Sequence, residues 1–525
     1  MKKSLSKTKI RLAAISFFLL LNSVVFAKTN LYNFIFSELM KDNSIKVKKM
    51  SSDSLLYKIR NYDFSYKDVP KGKIILNSKI GNTKDSTVVE LPFILYVPEK
   101  YNFKRKTPLL VYLHGGISRE NPIEVEKWDI KGNLYFKELE DRGWLGLFPT
   151  GKIDYTWWDN PGINNVEFIL KNLKMKYNID NDRIYMSGIS DGGSGSYAFA
   201  ALQPNSFASF YPIIGSAGVH SSSRNEAFAP RNFSNRFIFA INNKKDKLYP
   251  SKSMCALNRL LFENGADILY QEIPKYGHKV PYGRKVAPLI TDLMSNHPRN
   301  RYKTEIYWEC YDEHYSRCDW IKINKIDTTA SRKEWHKQFQ HSCSTKRLTF
   351  GFMPIEDVEK RGYVIKNVVE GSTAEKMGLK AGDKILKIDD TKMLKHEDIW
   401  EAKDNIELNK EFVFHIYRNN KKLELTGLFE NYISYEAFPY NTETGAVKAS
   451  YFNNEFKIET SKVDKITVYF SDKMISRNLP VNIFINGELK YNDTIPINEQ
   501  FIKEEFLKSF DTQNIWFNKI TLKTK

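Results

Sequence analysis

The sequence predicts an α/β domain built on a mostly parallel β-sheet, followed by a β domain that a smaller domain interrupts. Between about residues 87 and 298, short apolar runs alternate with helix-length segments, a pattern typical of a parallel sheet covered by helices. After Pro298 strand-like alternation takes over, at about 303–345 and again at 430–525. The segment between these two flanks, 346–428, has a different character, which predicts one β domain with an insertion.

The composition is that of a folded, water-soluble protein of several domains. The chain has 525 residues, enough for three or four domains of about 150 residues each. Apolar residues make up 42% and charged residues 27%, which excludes disorder over most of the length. The formal net charge is +18, but the lysines are dispersed and no nucleic-acid-binding motif accompanies them. We therefore expect no nucleic-acid partner.

The N-terminal residues 1–27 are typical of a secretory signal peptide. A basic start is followed by LAAISFFLLLNSVVFA, which ends at Ala27. About sixteen residues are too few for a spanning helix, which needs about 20, although an uncleaved anchor is the alternative. The sequence thus predicts a periplasmic or secreted protein without a membrane span after cleavage. No role is assigned to residues 28–86.

Four cysteines, Cys255, Cys310, Cys318 and Cys343, would permit disulfides in an exported protein. Cys310 and Cys318 bracket YDEHYSR, which could be the turn between two strands, so this pair is the favoured disulfide. Cys255 lies in an apolar helical pattern and is expected to be a buried free thiol. The chain has no C-x-x-C spacing, and we expect neither a metal nor a cofactor.

The first domain contains seven predicted strands. They are LPFILYVP, PLLVYLHG, WLGLFPTG, RIYMSG, FASFYPIIG, RFIFAI and ILYQEIP. Helical runs such as VEFILKNLKMKY and MCALNRLLFEN lie between them. In sheets of this kind the functional residues lie in the loops that follow the carboxyl ends of the strands.

The fourth of these strands runs into Gly188-Ile189-Ser190-Asp191-Gly192, and a helix rich in small residues follows. This is the pattern of a nucleophile elbow, where a strained turn between strand and helix exposes a serine hydroxyl. The N–H of Asp191, at the start of that helix, could stabilise an oxyanion. The alternative is a glycine-rich turn with a capping serine.

A catalytic acid and base are expected downstream of the serine, in the order Ser, acid, His. Asp246 follows the strand RFIFAI, and His278 follows ILYQEIP. Asp246 would orient the imidazole, and His278 would deprotonate Ser190. Asp267 opens a strand and His297 ends the last helix, so both are poorer candidates. Alternatively, Asp246 only caps a helix and His278 is an ordinary loop residue.

Two further segments are expected beside the serine. His114-Gly115-Gly116 follows PLLVYL, and the Gly116 N–H is the predicted second oxyanion donor, with His114 structural rather than catalytic. Trp157 and Trp158 follow WLGLFPTG and are predicted either to form a wall of the substrate cleft or to pack in the core.

Over about residues 88–297 the chain resembles secreted α/β-hydrolases of the polyhydroxybutyrate-depolymerase and feruloyl-esterase type, which are related to prolyl oligopeptidase. The resemblance lies in YVPEKY, PLLVYLHGG, the tryptophan pair, YNIDNDRIYMSG and the Ser-Asp-His set. Asn164-Asn165 stands where that family usually has two aspartates. The resemblance implies hydrolysis of esters, or less often peptides, through an acyl-enzyme.

The insertion is similar to a bacterial PDZ domain. Gly351-Phe352-Met353 is followed by GYVIKNVVEGSTAEKMGLKAGDKILKIDD and a helix from about Lys395. The resemblance implies that a peptide ligand adds as a strand and that Gly351, Phe352 and Met353 hold its carboxylate. The loop lacks the second glycine of its fullest version, and the alternative is a PDZ fold that serves as a spacer or lid.

The segment VDKITVYFSDKMISRNLPVNIFINGELKYNDTI resembles the β module that follows the hydrolase domain in some such enzymes. It contains no catalytic constellation. The sequence therefore predicts an exported, metal-independent serine hydrolase that cleaves polysaccharide-linked or polymeric carboxylic esters. A serine peptidase is the first alternative, and a PDZ-led binding protein with an inactive hydrolase domain is the second.

Overall fold

The computed structural model describes residues 52–61, 66–81, 88–224, 227, 229–339, 342–355, 358–395, 398–430, 433–436 and 442–525. The predicted signal peptide lies outside them. The chain divides into two compact units, one of residues 1–65 with 496–518 and one of residues 66–495 with 519–525. Among the described residues, no helix has both the length and the apolar character that crossing a membrane requires.

The helices are α1 (Ser52–Arg60), α2 (Phe136–Arg142), α3 (Asn160–Lys174), α4 (Asp191–Leu202), α5 (Val219–Arg224), α6 (Ser251–Glu263), α7 (Gly283–Asn296), α8 (Val358–Arg361), α9 (Thr373–Lys376), α10 (Asp398–Asn405) and α11 (Glu499–Ser509). The strands before the insertion are β1 (Gly72–Gly81), β2 (Val88–Val97), β3 (Thr107–Leu113), β4 (Leu145–Pro149), β5 (Ile179–Ile189), β6 (Ser209–Ile213), β7 (Phe237–Asn243), β8 (Ile268–Ile273), β9 (Glu305–Cys310), β10 (Arg317–Cys318), β11 (Ile321–Ile326) and β12 (Ser342–Arg347). The remaining strands are β13 (Phe352–Pro354), β14 (Tyr363–Val368), β15 (Lys384–Ile388), β16 (Thr391–Lys392), β17 (Glu411–Arg418), β18 (Lys421–Leu428), β19 (Ile433–Glu436), β20 (Gly445–Phe452), β21 (Glu455–Ser461), β22 (Val463–Phe470), β23 (Val481–Ile485), β24 (Glu488–Asp493) and β25 (Asn518–Lys523).

The first domain of the larger unit is an eight-stranded sheet in the order β1-β2-β4-β3-β5-β6-β7-β8. The strands from β3 to β8 pair in parallel, whereas β2 is antiparallel to both β1 and β4. All seven predicted strands are present. The sheet begins earlier than predicted, because β1 pairs along its whole length with β2 although its sequence lies before the expected boundary near residue 87.

Helices cover both faces of this sheet. Alternate residues of one strand enter different cores, as Leu109 and Leu110 of β3 do. Helices α3, α4 and α6 contribute side chains to one core, and α2 and α7 contribute side chains to the other. β3 is buried at every position, which explains why it is a continuous apolar run rather than an alternating one. The doubly wound α/β prediction is confirmed.

The β domain is formed by strands from both sides of the insertion. β9 pairs with β20 in a five-stranded sheet, and β11 pairs with β22 in a four-stranded sheet. Strands from the two sides of the insertion thus pair with each other. Between them, β13, β14, β15, β17 and β18 form a sheet in that order, and β16 pairs with β15.

The predicted disulfide between Cys310 and Cys318 is wrong. Both thiols are free and buried, and burial raises the pKa of each. Cys310 ends β9, which pairs with β20, whereas Cys318 lies in β10, which pairs with β11 in a different sheet. The expected hairpin between the two cysteines therefore does not form. Cys255 is free as expected, but it is only half-buried. The side chain of Cys343 lies outside the described residues.

Residues 496–518 of the smaller unit contain a helix that the sequence analysis missed, since only strands were expected after residue 430. Helix α11 begins after Asn498, whose side chain accepts a hydrogen bond from the Phe501 N–H at 2.9 Å. Its residues Phe501, Ile502 and Phe506 are buried, and α11 packs against α1 within this unit. The cap and the apolar spacing are both typical of a helix.

Candidate active site

Ser190 stands at a sharp turn between β5 and α4. Its backbone is strained, with φ 59° and ψ −119°, as a nucleophile elbow requires. The flanking glycines allow the close approach: a Cβ on Gly188 would lie 2.3 Å from the Gly192 carbonyl oxygen, and one on Gly192 would lie 1.9 Å from that of Leu113. Neither position can therefore carry a side chain without moving the backbone.

The structure brings Ser190, His278 and Asp246 together. Ser190 Oγ lies 2.8 Å from His278 Nε2, and His278 Nδ1 lies 2.8 Å from Asp246 Oδ2. The Asp246 side chain is fully buried, and its Oδ1 accepts hydrogen bonds from the N–H groups of Leu248 and Tyr249, both at 2.9 Å. A buried carboxylate with these partners fixes the orientation of the imidazole and favours the proton on Nδ1.

Asp267 and His297, the poorer candidates for the catalytic acid and base, lie away from Ser190. Asp267 precedes β8, where its carbonyl accepts from the Ile238 N–H. His297 stacks on Phe237 with ring centroids 3.6 Å apart. Neither has a described contact with Ser190.

The loop that carries His278 is held by Asn243, the last residue of β7. Asn243 Nδ2 donates to the carbonyl oxygens of Gly277, at 2.6 Å, and Lys279, at 2.8 Å, the two neighbours of His278. Its Oδ1 accepts from the hydroxyl of Tyr282 at 2.7 Å. The ring of Tyr249 also contacts the imidazole, with centroids 5.6 Å apart. Sequence reasoning did not identify Asn243 or Tyr249.

The glycine loop after β3 lies against the elbow. A Cβ on Gly115 would lie 3.0 Å from that of Ser190, and Gly116 has a φ of +66°, which favours glycine. Asp191 Oδ2 accepts a hydrogen bond from the Ile117 N–H at 3.0 Å. The carboxylate next to the serine thus anchors the loop that bears Gly116.

His114 has a structural position, as expected. Its Nδ1 donates to the Gly115 carbonyl at 2.7 Å, and its Nε2 accepts from the Gly151 N–H at 3.1 Å. The ring packs edge-on against Trp128 and Trp157. Burial lowers the pKa of His114 to about 4, so the imidazole is neutral at physiological pH and satisfies both backbone groups.

The structure does not support the prediction that Trp157 and Trp158 line the substrate cleft. Both lie in the hydrophobic core, with exposed fractions of 0% and 8%. Trp157 Nε1 donates to the His114 carbonyl at 2.9 Å, and Trp157 Cβ lies close beside Gly195 of α4. Core packing, the alternative interpretation, accounts for the pair.

Of the predicted peptide-binding residues, Gly351 directly precedes β13, whereas Phe352 and Met353 lie in β13, the terminal strand of its sheet. Gly351 has a φ of +81°, and a Cβ there would lie 2.1 Å from that of Ser372. Phe352 stacks on the buried Phe350 with centroids 5.7 Å apart, and Met353 is exposed. A terminal strand offers backbone groups to an added strand.

Comparison with known proteins agrees with this architecture. Residues 347–426 match the PDZ domain family, which confirms the predicted insertion. The eight-stranded sheet carries Ser190 in an elbow after β5, with the acid after β7 and the histidine after β8. The chain has an α/β-hydrolase fold and an inserted PDZ domain.

The matching relative and solved structures cover only part of this chain. The bifunctional acetylxylan esterase/xylanase XynS20E of Neocallimastix patriciarum is 30% identical over 125 residues, which are 23% of this chain and 17% of that protein. The chain thus spans about a sixth of this curated relative. Among solved structures, a thermostable esterase is 22% identical over 43% of this chain and 63% of its own, with a TM-score of 0.34. A ferulic acid esterase is 15% identical over 43% of this chain and 99% of its own, also with a TM-score of 0.34.

Proposed function

We propose that this protein is an exported serine hydrolase that cleaves carboxylic esters, polysaccharide-linked or polymeric, through an acyl-enzyme. The observation that carries the proposal is the continuous hydrogen-bonded series from Ser190 Oγ through His278 to the buried Asp246, with both distances 2.8 Å. A nucleophile, a base and an orienting acid within hydrogen-bonding reach are the requirements of acyl transfer.

In the proposed mechanism, Ser190 Oγ attacks the carbonyl carbon of the ester while His278 Nε2 takes the hydroxyl proton. Asp246 stabilises the resulting imidazolium through Nδ1. The N–H groups of Asp191 and Gly116 donate to the oxyanion. His278 then gives its proton to the departing alkoxide, which leaves an ester between substrate acyl group and Ser190. A water molecule, deprotonated by His278, cleaves this acyl-enzyme and restores the serine.

Two observations support the oxyanion donors. The Asp191 N–H is at the first turn of α4, a helix of 12 residues, where backbone N–H groups lack helical partners. Gly116 follows Gly115, which lies against Ser190. The side chain of Asp191 ties the two segments together through the Ile117 N–H.

The preference for esters is supported by the curated relative, whose name records an acetylxylan esterase. Export is supported by the sequence of residues 1–27. The PDZ domain is proposed to bind a peptide along β13, beside Gly351, Phe352 and Met353.

The experiment compares initial rates of residues 28–525 on a short p-nitrophenyl ester and on a prolyl anilide. We expect rapid ester turnover that Ser190→Ala lowers by several orders of magnitude. Ser222→Ala, which removes an exposed hydroxyl from α5, is the matched control and should equal the wild type. Faster turnover of the anilide would favour the peptidase, and equal rates for wild type and Ser190→Ala would refute the proposal.

A further inference from the structure

Helix α10 of the PDZ domain contacts the loop that carries His278. Asp404 Oδ2 accepts a hydrogen bond from the His278 N–H at 3.2 Å. The Trp400 ring lies beside the imidazole, with centroids 5.7 Å apart and an interplanar angle of 53°. One residue past the helix end, the Ile406 carbonyl accepts from Nζ of Lys247, the neighbour of Asp246. The helix and the residue that follows it thus contact the loops of both the base and the acid.

Gly277 makes room for this contact. A Cβ at Gly277 would lie 1.9 Å from Asp404 Oδ2 and 2.7 Å from its carboxyl carbon. Gly277 is not one of the described glycines with a positive φ. A left-handed backbone conformation therefore does not explain why this position is glycine. The close approach of the Asp404 carboxylate explains the absence of a side chain at position 277.

The PDZ domain holds α10 firmly at this place. Ile399 and Ala402 are buried in the PDZ core, with exposed fractions of 5% and 2%. The Lys403 ammonium group lies over the rings of both Trp400 and Phe350. Trp400 and Asp404 are half-buried. A helix fixed by its own core can position a side chain more accurately than a loop can.

Several charged groups face Asp404. Burial raises its pKa, and the Asp246 carboxylate acts in the same direction, whereas the His278 N–H, the His278 ring and Lys247 act in the opposite direction. Burial in turn lowers the pKa of Lys247. Asp404 therefore brings a second carboxylate close to the imidazole, in addition to that of Asp246.

We propose that Asp404 is a positioning residue of the hydrolase and that α10 is an integral part of the catalytic apparatus. This inference rests on the proposed function. By accepting from the His278 N–H, Asp404 fixes the backbone on the side of the loop that Asn243 does not reach, and Trp400 covers the imidazole. Together they keep Nε2 directed at Ser190 Oγ. The PDZ domain then has a part in catalysis that is separate from peptide binding.

The test uses the full mature chain with three variants of α10 and a p-nitrophenyl ester. Asp404→Ala should lower kcat about tenfold or more and leave KM within about twofold, because the base is misplaced while the substrate site is intact. Asp404→Asn keeps an acceptor oxygen and should restore most of kcat. Glu401→Ala removes an exposed carboxylate from the same helix and should equal the wild type.

The pH profile separates positioning from a merely structural role. Both Asp404 variants remove a negative charge near the imidazole, so the acidic limb of kcat/KM should move to lower pH, even in the Asn variant with its restored kcat. Wild-type kcat and an unshifted limb in both variants would overturn the inference while leaving the serine mechanism in place. Should Asp404→Ala not fold, an unshifted limb in Asp404→Asn alone would overturn it. A wild-type chain that turns over no substrate would instead refute the proposed function.

Discussion

Asp191 Oδ2 accepts a hydrogen bond from the Ile117 N–H at 3.0 Å, so the residue after the elbow serine anchors the glycine loop opposite. The backbone N–H and the side-chain carboxylate of Asp191 therefore have different roles. The first is a proposed oxyanion donor, and the second holds the loop that provides the other donor.

Replacement of the Asp191 side chain should thus impair catalysis without removing its N–H. We expect Asp191→Ala to lower kcat about tenfold or more, less than the 10²–10³ that loss of an oxyanion donor costs, because the Gly116 N–H is displaced rather than removed. Asp191→Asn keeps an acceptor and should retain most of the activity. Steady-state kinetics on a p-nitrophenyl ester measures both, and an alanine variant as active as the wild type would show that the loop needs no anchor.

The elbow glycine Gly192 should tolerate no side chain. A Cβ added at Gly192 would lie 1.9 Å from the Leu113 carbonyl oxygen. This oxygen belongs to the backbone and cannot rotate away as the end of a side chain can. Gly192→Ala should lower the free energy of unfolding by about 1–3 kcal/mol or more and abolish ester turnover. The matched control is Gly132→Ala, where the nearest atom is the end of the Asp129 side chain at 3.2 Å. Urea denaturation compares the two, and equal losses would contradict this account of the elbow.

The buried His114 predicts a pH-dependent stability. Its pKa is about 4 in the folded chain, against about 6.5 when unfolded. As the pH falls through 6.5, the unfolded chain takes up the proton first, so the stabilisation is complete above pH 6.5 and is lost progressively toward pH 4. The loss amounts to roughly 3 kcal/mol.

His114→Gln removes this titration. The difference in unfolding free energy between wild type and variant should therefore shrink as the pH is lowered from 7.5 to 5, as urea denaturation at several pH values would show. Two curves that stay parallel over this range would mean that His114 takes up its proton equally in both states.

Asp319 links the α/β domain to the β domain through a buried ion pair. It contacts Arg236 at 2.7 Å and Arg301 at 3.0 Å, and its own side chain is fully buried. Burial alone would raise the pKa of Asp319, but the two guanidinium groups outweigh it and lower the pKa. This stabilisation is present above the unfolded value of about 3.9 and is lost as the pH falls below it.

Asp319→Asn removes the carboxylate that two buried guanidinium groups share, so we expect a loss of about 3–5 kcal/mol. Glu90→Gln breaks an exposed pair with Lys79 and should change stability by less than about 1 kcal/mol. Denaturant midpoints at neutral pH measure both. A loss at Asp319 no larger than that at Glu90 would show that the arginines find other partners.

The sequence was informative where the determining contacts are local. The alternation of strands and helices predicted the sheet, and the glycine spacing around Ser190 predicted the elbow, because the turn itself requires small residues there. Asp246 and His278 followed from the order of strands. Each of these signals lies within a few residues of the feature it predicts.

The errors concern contacts that distant segments make. Cys310 and Cys318 are eight positions apart in the chain but belong to different sheets, because β9 pairs with a strand beyond the PDZ domain. Trp157 is buried by α4, which begins more than thirty residues later. Asp404 lies 126 residues after His278, and the only local trace of it is the glycine that precedes the histidine.

The central claim is that Ser190 is a nucleophile activated by His278 and Asp246. Its most direct test is to label the folded chain, residues 28–525, with a serine-directed fluorophosphonate and to map the modified peptide by mass spectrometry. We expect one label per chain, on Ser190, and none on Ser190→Ala. A label on another serine, or equal labelling of the wild type and the variant, would contradict the account.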